Sequence, residues 1–235
     1  MTERSTPETV IRLQAVSRWY DSEAERVVAV EGVDLDVDAG EFVCVHGTSG
    51  SGKTTLLNLI GGVDEPDAGK VVVGDFQVSS MSPEERIVLR REVVGMVHQQ
   101  DSLIEEFTAV ENVSLPLEVA GYSPEAALDA ASAELVRVGL EGLEGRLPRQ
   151  LSGGQRQRVG IARALTGGRL VLLADEPTGA LDTASATVVY RLLVDLAQRG
   201  IVVVVASHDP QCRTYASRVV EIRDGRLVGK LGAQV

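Results

Sequence analysis

An α/β fold is predicted by three features of this 235-residue chain. Two unbroken apolar runs, "LVLLA" (residues 170–174) and "IVVVVA" (201–206), read as strands buried on both faces, the form that parallel strands take. The stretch between them, "ASATVVYRLLVDLAQRG", has helical spacing and stops at Gly200, so the three make a β-α-β unit. Far upstream, "GTSGSGKT" (47–54) follows one predicted strand, opens one predicted helix and matches the phosphate-loop template in full.

The elements follow in chain order. Residues 11–45 give short alternating strands, "IRLQAV", "VVAVEGVDLDV" and "EFVCV". In the second, acidic residues alternate with Val33, Leu35 and Val37, which makes a solvated strand face rather than a binding tail. After the phosphate loop come an apolar helix, "KTTLLNLIGG", and a further strand, "GKVVVGDFQV". Ser82-Pro83-Glu84-Glu85 is a capping box with proline at the first helical position, and "VVGMVHQ" reads as a strand. Thr108-x-x-Glu111 and Ser123-Pro124 mark two more helix starts, with Pro116 expected to kink or end the first helix. The chain is thus expected to be a single domain over 1–235. A phosphate-loop NTPase core (1–100 and 151–235) carries an antiparallel β subdomain, and an α-helical subdomain is inserted at about 101–150.

Composition limits the partners. Hydrophobic residues make up 44%, enough for a sizeable core, and the net charge is −11 with no basic run, which disfavours nucleic acid. The longest apolar run is far short of the ~18 residues a membrane span needs. "MTERSTPETV" has no apolar stretch after its charges. The chain is therefore expected to be cytosolic and to reach the inner face of a membrane through a partner. Cys44 and Cys212 have no metal spacing and are expected to be small buried hydrophobes.

The phosphate loop states its own chemistry. Glycines let successive N–H groups turn inward around phosphate oxygens, and the helix start adds its positive dipole end. Gly47, Thr48, Ser49, Gly50, Ser51, Gly52, Lys53, Thr54 and Thr55 are the expected ATP-binding stretch. Lys53 reaches the β- and γ-phosphates and the Thr54 hydroxyl binds Mg²⁺. "LVLLADEP" supplies the other half: Asp175, at a strand end, to hold Mg²⁺, and Glu176 to orient and polarise a water. A second stretch, "LSGGQRQRVGIARAL" (151–165), opens with Ser152, Gly153, Gly154 and Gln155 before turning helical, and this too is how a helix that holds an anion begins.

That second stretch is very close to the signature sequence of the nucleotide-binding subunits of ATP-binding-cassette (ABC) transporters, and the chain resembles that family over essentially its whole length. The resemblance implies further roles. Tyr20 stands where the family has an aromatic that stacks on adenine, with Trp19 beside it as the alternative. Gln99 matches the glutamine that joins core to helical subdomain, and is expected beside Thr54 and Asp175 at the metal. Asp182, in "GALD", matches the loop after the second acidic motif and is also a natural helix cap. His208, in "ASHD", matches the switch histidine and joins Glu176 and Lys53 in catalysis.

The resemblance also implies a head-to-tail dimer with a second copy or a homologous cassette. Two ATP are sandwiched in it, and Ser152, Gly153 and Gly154 bind the phosphate held by the partner's loop. A membrane permease docks beside Gln99 and residues 101–110. The motifs look most like the subunits serving macrolide, lipoprotein and antimicrobial-peptide export, and cell division. A non-transport ABC ATPase and a binding-only cassette are the alternatives. Three residues depart from the common pattern: Thr48 where many relatives have proline, His98 where an aromatic is common, and His46, expected to be packed and without chemistry.

Overall fold

The computed structural model describes residues 8–21, 26–98 and 103–231. Two 13-residue strands, β1 (Thr9–Asp21) and β2 (Arg26–Asp38), pair antiparallel, and β4 (Ala68–Val73) adds to the other edge of β1. β1 runs well past the predicted "IRLQAV" at both ends, whereas β2 extends the predicted "VVAVEGVDLDV" by one residue at each end. The reason is that the ladder survives its interruptions. Ala15 (φ 48°) and Gly32 (φ 57°) bulge out, and side chains take over the vacated pairings. The Ala15 N–H donates to Asp34 at 2.8 Å and the Gly32 N–H to the Ser17 hydroxyl at 2.9 Å. Val33, Leu35 and Val37 are buried, with Asp34 and Asp36 exposed between them, as the alternation predicts.

The second sheet has six strands: β3 (Phe42–His46), β5 (Val94–Val97), β6 (Val171–Asp175), β7 (Val202–Ser207), β8 (Arg218–Arg223) and β9 (Arg226–Leu231). Its order is β5-β6-β7-β3-β8-β9, and only β9 is antiparallel to its neighbour. The β8–β9 hairpin turns at Asp224-Gly225 (φ 48° and 76°), the dipeptide that tolerates two positive φ values in a row. The predicted strand "GKVVVGDFQV" is cut short. Gly74 (φ 54°) reverses the chain after Val73, and Val78 already lies in a 3₁₀ turn.

The described residues also form seven α-helices, α1 (Lys53–Ile60), α2 (Pro83–Glu92), α3 (Ala109–Val119), α4 (Pro124–Arg137), α5 (Gly153–Leu165), α6 (Thr183–Gln198) and α7 (Pro210–Tyr215), and a second 3₁₀ turn at Pro148–Gln150. The capping boxes at Ser82 and Thr108 form in both directions, and Ser123 caps α4. Pro116 does not end α3. The helix runs three residues further and closes at Gly121 (φ 91°), where the Tyr122 N–H reaches the Leu117 carbonyl at 3.0 Å and the Gly121 N–H reaches that of Glu118 at 2.9 Å. Proline removes one N–H, and a turn earlier buried Asn112 ties the start of the helix to the segment before it. That side chain donates to the carbonyls of Ile104, Phe107 and Thr108, each at 3.1 Å, and accepts from the Ile104 N–H at 2.8 Å.

Alternate residues of the central strands serve two cores. Val43, Val45, Val202 and Val204 pack with Leu56, Leu57, Leu59 and Ile60 of α1 and with Ile11, Leu13 and Leu35 of the antiparallel sheet. Phe42, Cys44, Val203 and Val205 pack on the opposite side with Leu135, Val159, Ile161, Tyr190 and Leu193. Burial on both faces is why these strands are apolar throughout. Cys44 and Cys212 are buried free thiols, as expected. Leu135 of α4 is fully buried in the second core. Leu135→Ala is expected to lower the unfolding free energy by about 2–5 kcal/mol, read from urea melts, while leaving ATP turnover per folded molecule unchanged.

Candidate active site

Strand register brings the site together. Asp175 lies opposite Ala206, and His46 opposite Ser207, so β6, β7 and β3 end at one edge of the sheet. Ligands in parallel sheets gather beyond such carboxyl ends. The loops leaving the three strands carry the phosphate loop, Glu176 and His208. A cleft of about 340 Å³ opens there, lined by Ser49, Gly50, Gly52, Lys53, Thr54 and Thr55, by Asp175, Glu176 and His208, and by Val27, Val28 and Ala29 of β2. Gly47, Thr48 and Ser51 belong to the same loop but do not line the cleft. A Cβ at Gly52 (φ 106°) would collide with the Ala29 carbonyl, and one at Gly47 with the Ile222 carbonyl. Glycine here lets the loop sit tight between β2 and β8.

Lys53 is buried. Its ammonium donates to the carbonyls of Gly47 and Thr48, each at 2.9 Å, and stands 3.8 Å from Glu176 Oε1. The Thr54 hydroxyl donates to Asp175 Oδ2 at 2.7 Å, while Asp175 Oδ1 is buried without a partner. A hydroxyl beside a carboxylate with an unused oxygen is a donor set that fits Mg²⁺, and these two side chains would hold it.

Glu176 occupies the left-handed backbone region (φ 47°), a strain of about 1–3 kcal/mol for a residue with a side chain. Its surroundings over-determine it. The Glu176 N–H donates to the Ala206 carbonyl at 2.9 Å. Its Oε2 accepts from the Ser207 hydroxyl at 3.1 Å, and its Oε1 from the His208 N–H at 3.1 Å and from His208 Nδ1 at 2.7 Å. The His208 ring is otherwise exposed, at the mouth of the cleft. The carboxylate is thus held at one rim and faces Lys53 at the other.

The remaining expected residues lie elsewhere. Ser152 caps α5 in a full capping box with Gln155: the Gln155 N–H donates to the Ser152 hydroxyl at 3.3 Å, and Gln155 Oε1 accepts from the Ser152 N–H at 2.8 Å. A Cβ on Gly154 would lie 3.0 Å from Ser185 Cβ, and one on Gly153 3.2 Å from Leu181, so these glycines also let α5 abut the start of α6. Asp182 caps α6, accepting from the Ser185 N–H at 2.9 Å; this bond and one from the Ser185 hydroxyl hold its carboxyl below the usual range. None of these five residues lines the cleft of its own chain.

Tyr20 is engaged outside the cleft. Its hydroxyl donates to Asp64 at 2.6 Å and the Arg18 guanidinium covers its ring at 4.8 Å, while Trp19 carries Arg26 at 5.2 Å. Their cross-strand partners Val27 and Val28 are the residues that reach the cleft, as a half-exposed apolar wall. Sequence reasoning missed those valines, because a valine facing a ligand and one facing the core look alike. It also missed Ser207. Gln99 lies outside the described residues, as do 101 and 102. His98 is exposed. His46 is half-buried, its Nδ1 without a partner, and burial beside Arg213 pushes its pKa down.

Among the described residues no helix is long and apolar enough to cross a membrane. The family model described as ABC transporter matches residues 30–179. The Macrolide export ATP-binding/permease protein MacB of Burkholderia pseudomallei is 43% identical over 220 residues, 94% of this chain and 34% of that protein. The protein of the same name from Hyphomonas neptunium is 41% identical over 223 residues, 95% of this chain and 35% of its own length. The chain thus spans about a third of the length of these relatives. Among solved structures, the dimeric ATP-binding cassette MJ0796, in a post-hydrolysis state bound to ADP and Pi, superposes with a TM-score of 0.86 at 37% identity, over 96% of this chain and 99% of that one. A family match across more than half the chain and a shared fold across nearly all of it lead to one conclusion: the chain belongs to the ABC transporter family, as one of its ATP-hydrolysing cassettes.

Proposed function

We propose that this cassette closes head to tail on a second copy or a homologous cassette, around two Mg-ATP, and that closure drives a membrane permease of the macrolide-export kind. The observation that carries the reading is a mismatch within one chain. Lys53, Thr54, Asp175, Glu176 and His208 converge on one cleft, while the second anion-binding helix start, at Ser152, lies outside it. A serine hydroxyl, two glycine amides and a helix N-terminus clamp a phosphate without any basic residue. The dimeric MJ0796 cassette supports this pairing, and the names of the MacB relatives support the export branch.

The chain's own residues do the work as follows. Lys53 exchanges its two loop carbonyls for phosphate oxygens. Glu176, held by Ser207 and His208, orients the attacking water and takes its proton. Bound Mg²⁺ supplies charge neutralisation at the phosphates. Ser152, Gly153 and Gly154 of the other subunit complete the site. Because the permease is expected beside Gln99 and residues 101–110, the same closure moves its docking surface.

Mixing subunits tests the shared site. On a Glu176→Gln background, Lys53→Ala and Ser152→Arg subunits are each expected to stay monomeric with Mg-ATP by light scattering. Their equimolar mixture restores one intact composite site and is expected to recover dimer. A Ser152→Arg subunit that dimerises alone as readily as its parent rejects the head-to-tail reading.

A further inference from the structure

We propose that Tyr190 is a positioning residue for hydrolysis: its hydroxyl ties the loop that follows Glu176 to the loop that carries His208, and so fixes the Glu176 carboxylate. The inference rests on the reading of Glu176 given above. Tyr190 sits on α6, fully buried, with its ring stacked on Tyr215 of α7 at 5.3 Å between centroids and 14° between planes. Its hydroxyl lies 2.7 Å from Thr178 Oγ1 and 2.9 Å from Asp209 Oδ2. A carboxylate only accepts, so Tyr190 donates to Asp209 and Thr178 donates to Tyr190.

The chain of bonds continues to the active site. Asp209 Oδ1 accepts from the Gln211 N–H at 2.8 Å, which caps α7. The Asp209 N–H donates to the Ser207 hydroxyl at 3.0 Å, and that hydroxyl donates to Glu176 Oε2 at 3.1 Å. Thr178 stands two residues beyond Glu176, so the circuit closes on itself: Glu176, Ser207, Asp209, Tyr190, Thr178 and back along the chain. Thr178, Ser207 and Tyr190 are all buried. One bond would satisfy a buried phenol. Here it has two partners, one on each loop that flanks the site. Among the described residues, the circuit brackets the one cleft-lining residue with a side chain that holds a positive φ, and such a conformation persists only where its surroundings over-determine it. Burial raises the Tyr190 pKa above its ordinary value, which keeps the donated proton in place at every working pH.

Tyr190→Phe removes one oxygen and keeps the ring and its stack. In the full chain with Mg-ATP, kcat is expected to fall about tenfold while KM for ATP changes by less than about twofold, since the loss concerns orientation in the transition state and not binding. Thr178→Val cuts the other bond of the bridge and is expected to act in the same direction. Ser207→Ala breaks the same circuit next to Glu176, so adding Tyr190→Phe to it should cost little more. Glu176→Gln, assayed alongside, separates the two readings. Turnover at the parent rate in Glu176→Gln removes the assignment of Glu176 and this inference with it. Inactive Glu176→Gln beside parent-like kcat in both Tyr190→Phe and Thr178→Val leaves that assignment standing and overturns the role of Tyr190. Full additivity with Ser207→Ala, or a loss of kcat that tracks the melting temperature, overturns it as well.

Discussion

Replacing Lys53 by alanine is expected to lower kcat/KM for ATP by about 10²–10³-fold or more, the cost of losing one fixed donor aimed at developing charge. The structure gives this lysine an isolated position. It is buried in the concavity of the phosphate loop, held by two carbonyls at 2.9 Å, and among the described residues no other ammonium or guanidinium lines the cleft. The other polar groups lining it are backbone, hydroxyl, carboxylate and the His208 imidazole. Nucleotide affinity should weaken too, because the proposed mechanism brings the ammonium to the β- and γ-phosphates already in the ground state. Steady-state phosphate release and titration calorimetry with Mg-ATP read the two effects separately. Parent-like turnover would remove the phosphate loop from the mechanism.

Glu176→Gln is expected to divide binding from chemistry. The amide matches the carboxylate in size and one oxygen still accepts from Ser207 or His208, so the loop should keep its course. It takes up no proton at neutral pH, and kcat should fall by about 10²–10⁴-fold. ATP binding should survive, because the carboxylate is no phosphate ligand; removing its negative charge 3.8 Å from Lys53 leaves that ammonium freer for phosphate. Single-turnover kinetics with Mg-ATP, paired with an equilibrium binding isotherm, decide the matter. Equal losses in both would show that Glu176 acts in binding, and an unchanged single-turnover rate would assign the proton transfer to another group.

Much of this protein is legible in its amino-acid order alone, through rules of short range. Capping boxes at Ser82, Thr108 and Ser152 need only residues three apart, and all three form. The apolar runs at 171–174 and 202–206 are buried parallel strands because burial on both faces leaves no place for polar side chains. The phosphate-loop glycines announce themselves because positive φ and close backbone approach admit little else, as Gly52 shows. The acid pair at Asp175-Glu176 follows from its place at the end of one of those strands.

The tertiary structure decided whatever depends on residues far apart in the chain. The 13-residue reach of β1 depends on Asp34 and Ser17 filling the bulges of its ladder with β2. Pro116 looks like a helix stop, yet Asn112 and Gly121 hold α3 on either side of it. Val27 and Val28 reach the cleft only because the end of β2 lies over the phosphate loop, and nothing in a valine's neighbours along the chain says so. The Tyr190 circuit joins residues 176, 178, 190, 207 and 209 by bonds that exist only once α6 packs under the strand ends. A sequence states conformational preference residue by residue, and so it determined the elements and the phosphate chemistry. Hydrogen bonds between distant residues are set by strand register and helix packing, which the whole chain's burial selects, and so the orientation of Glu176 belongs to the fold.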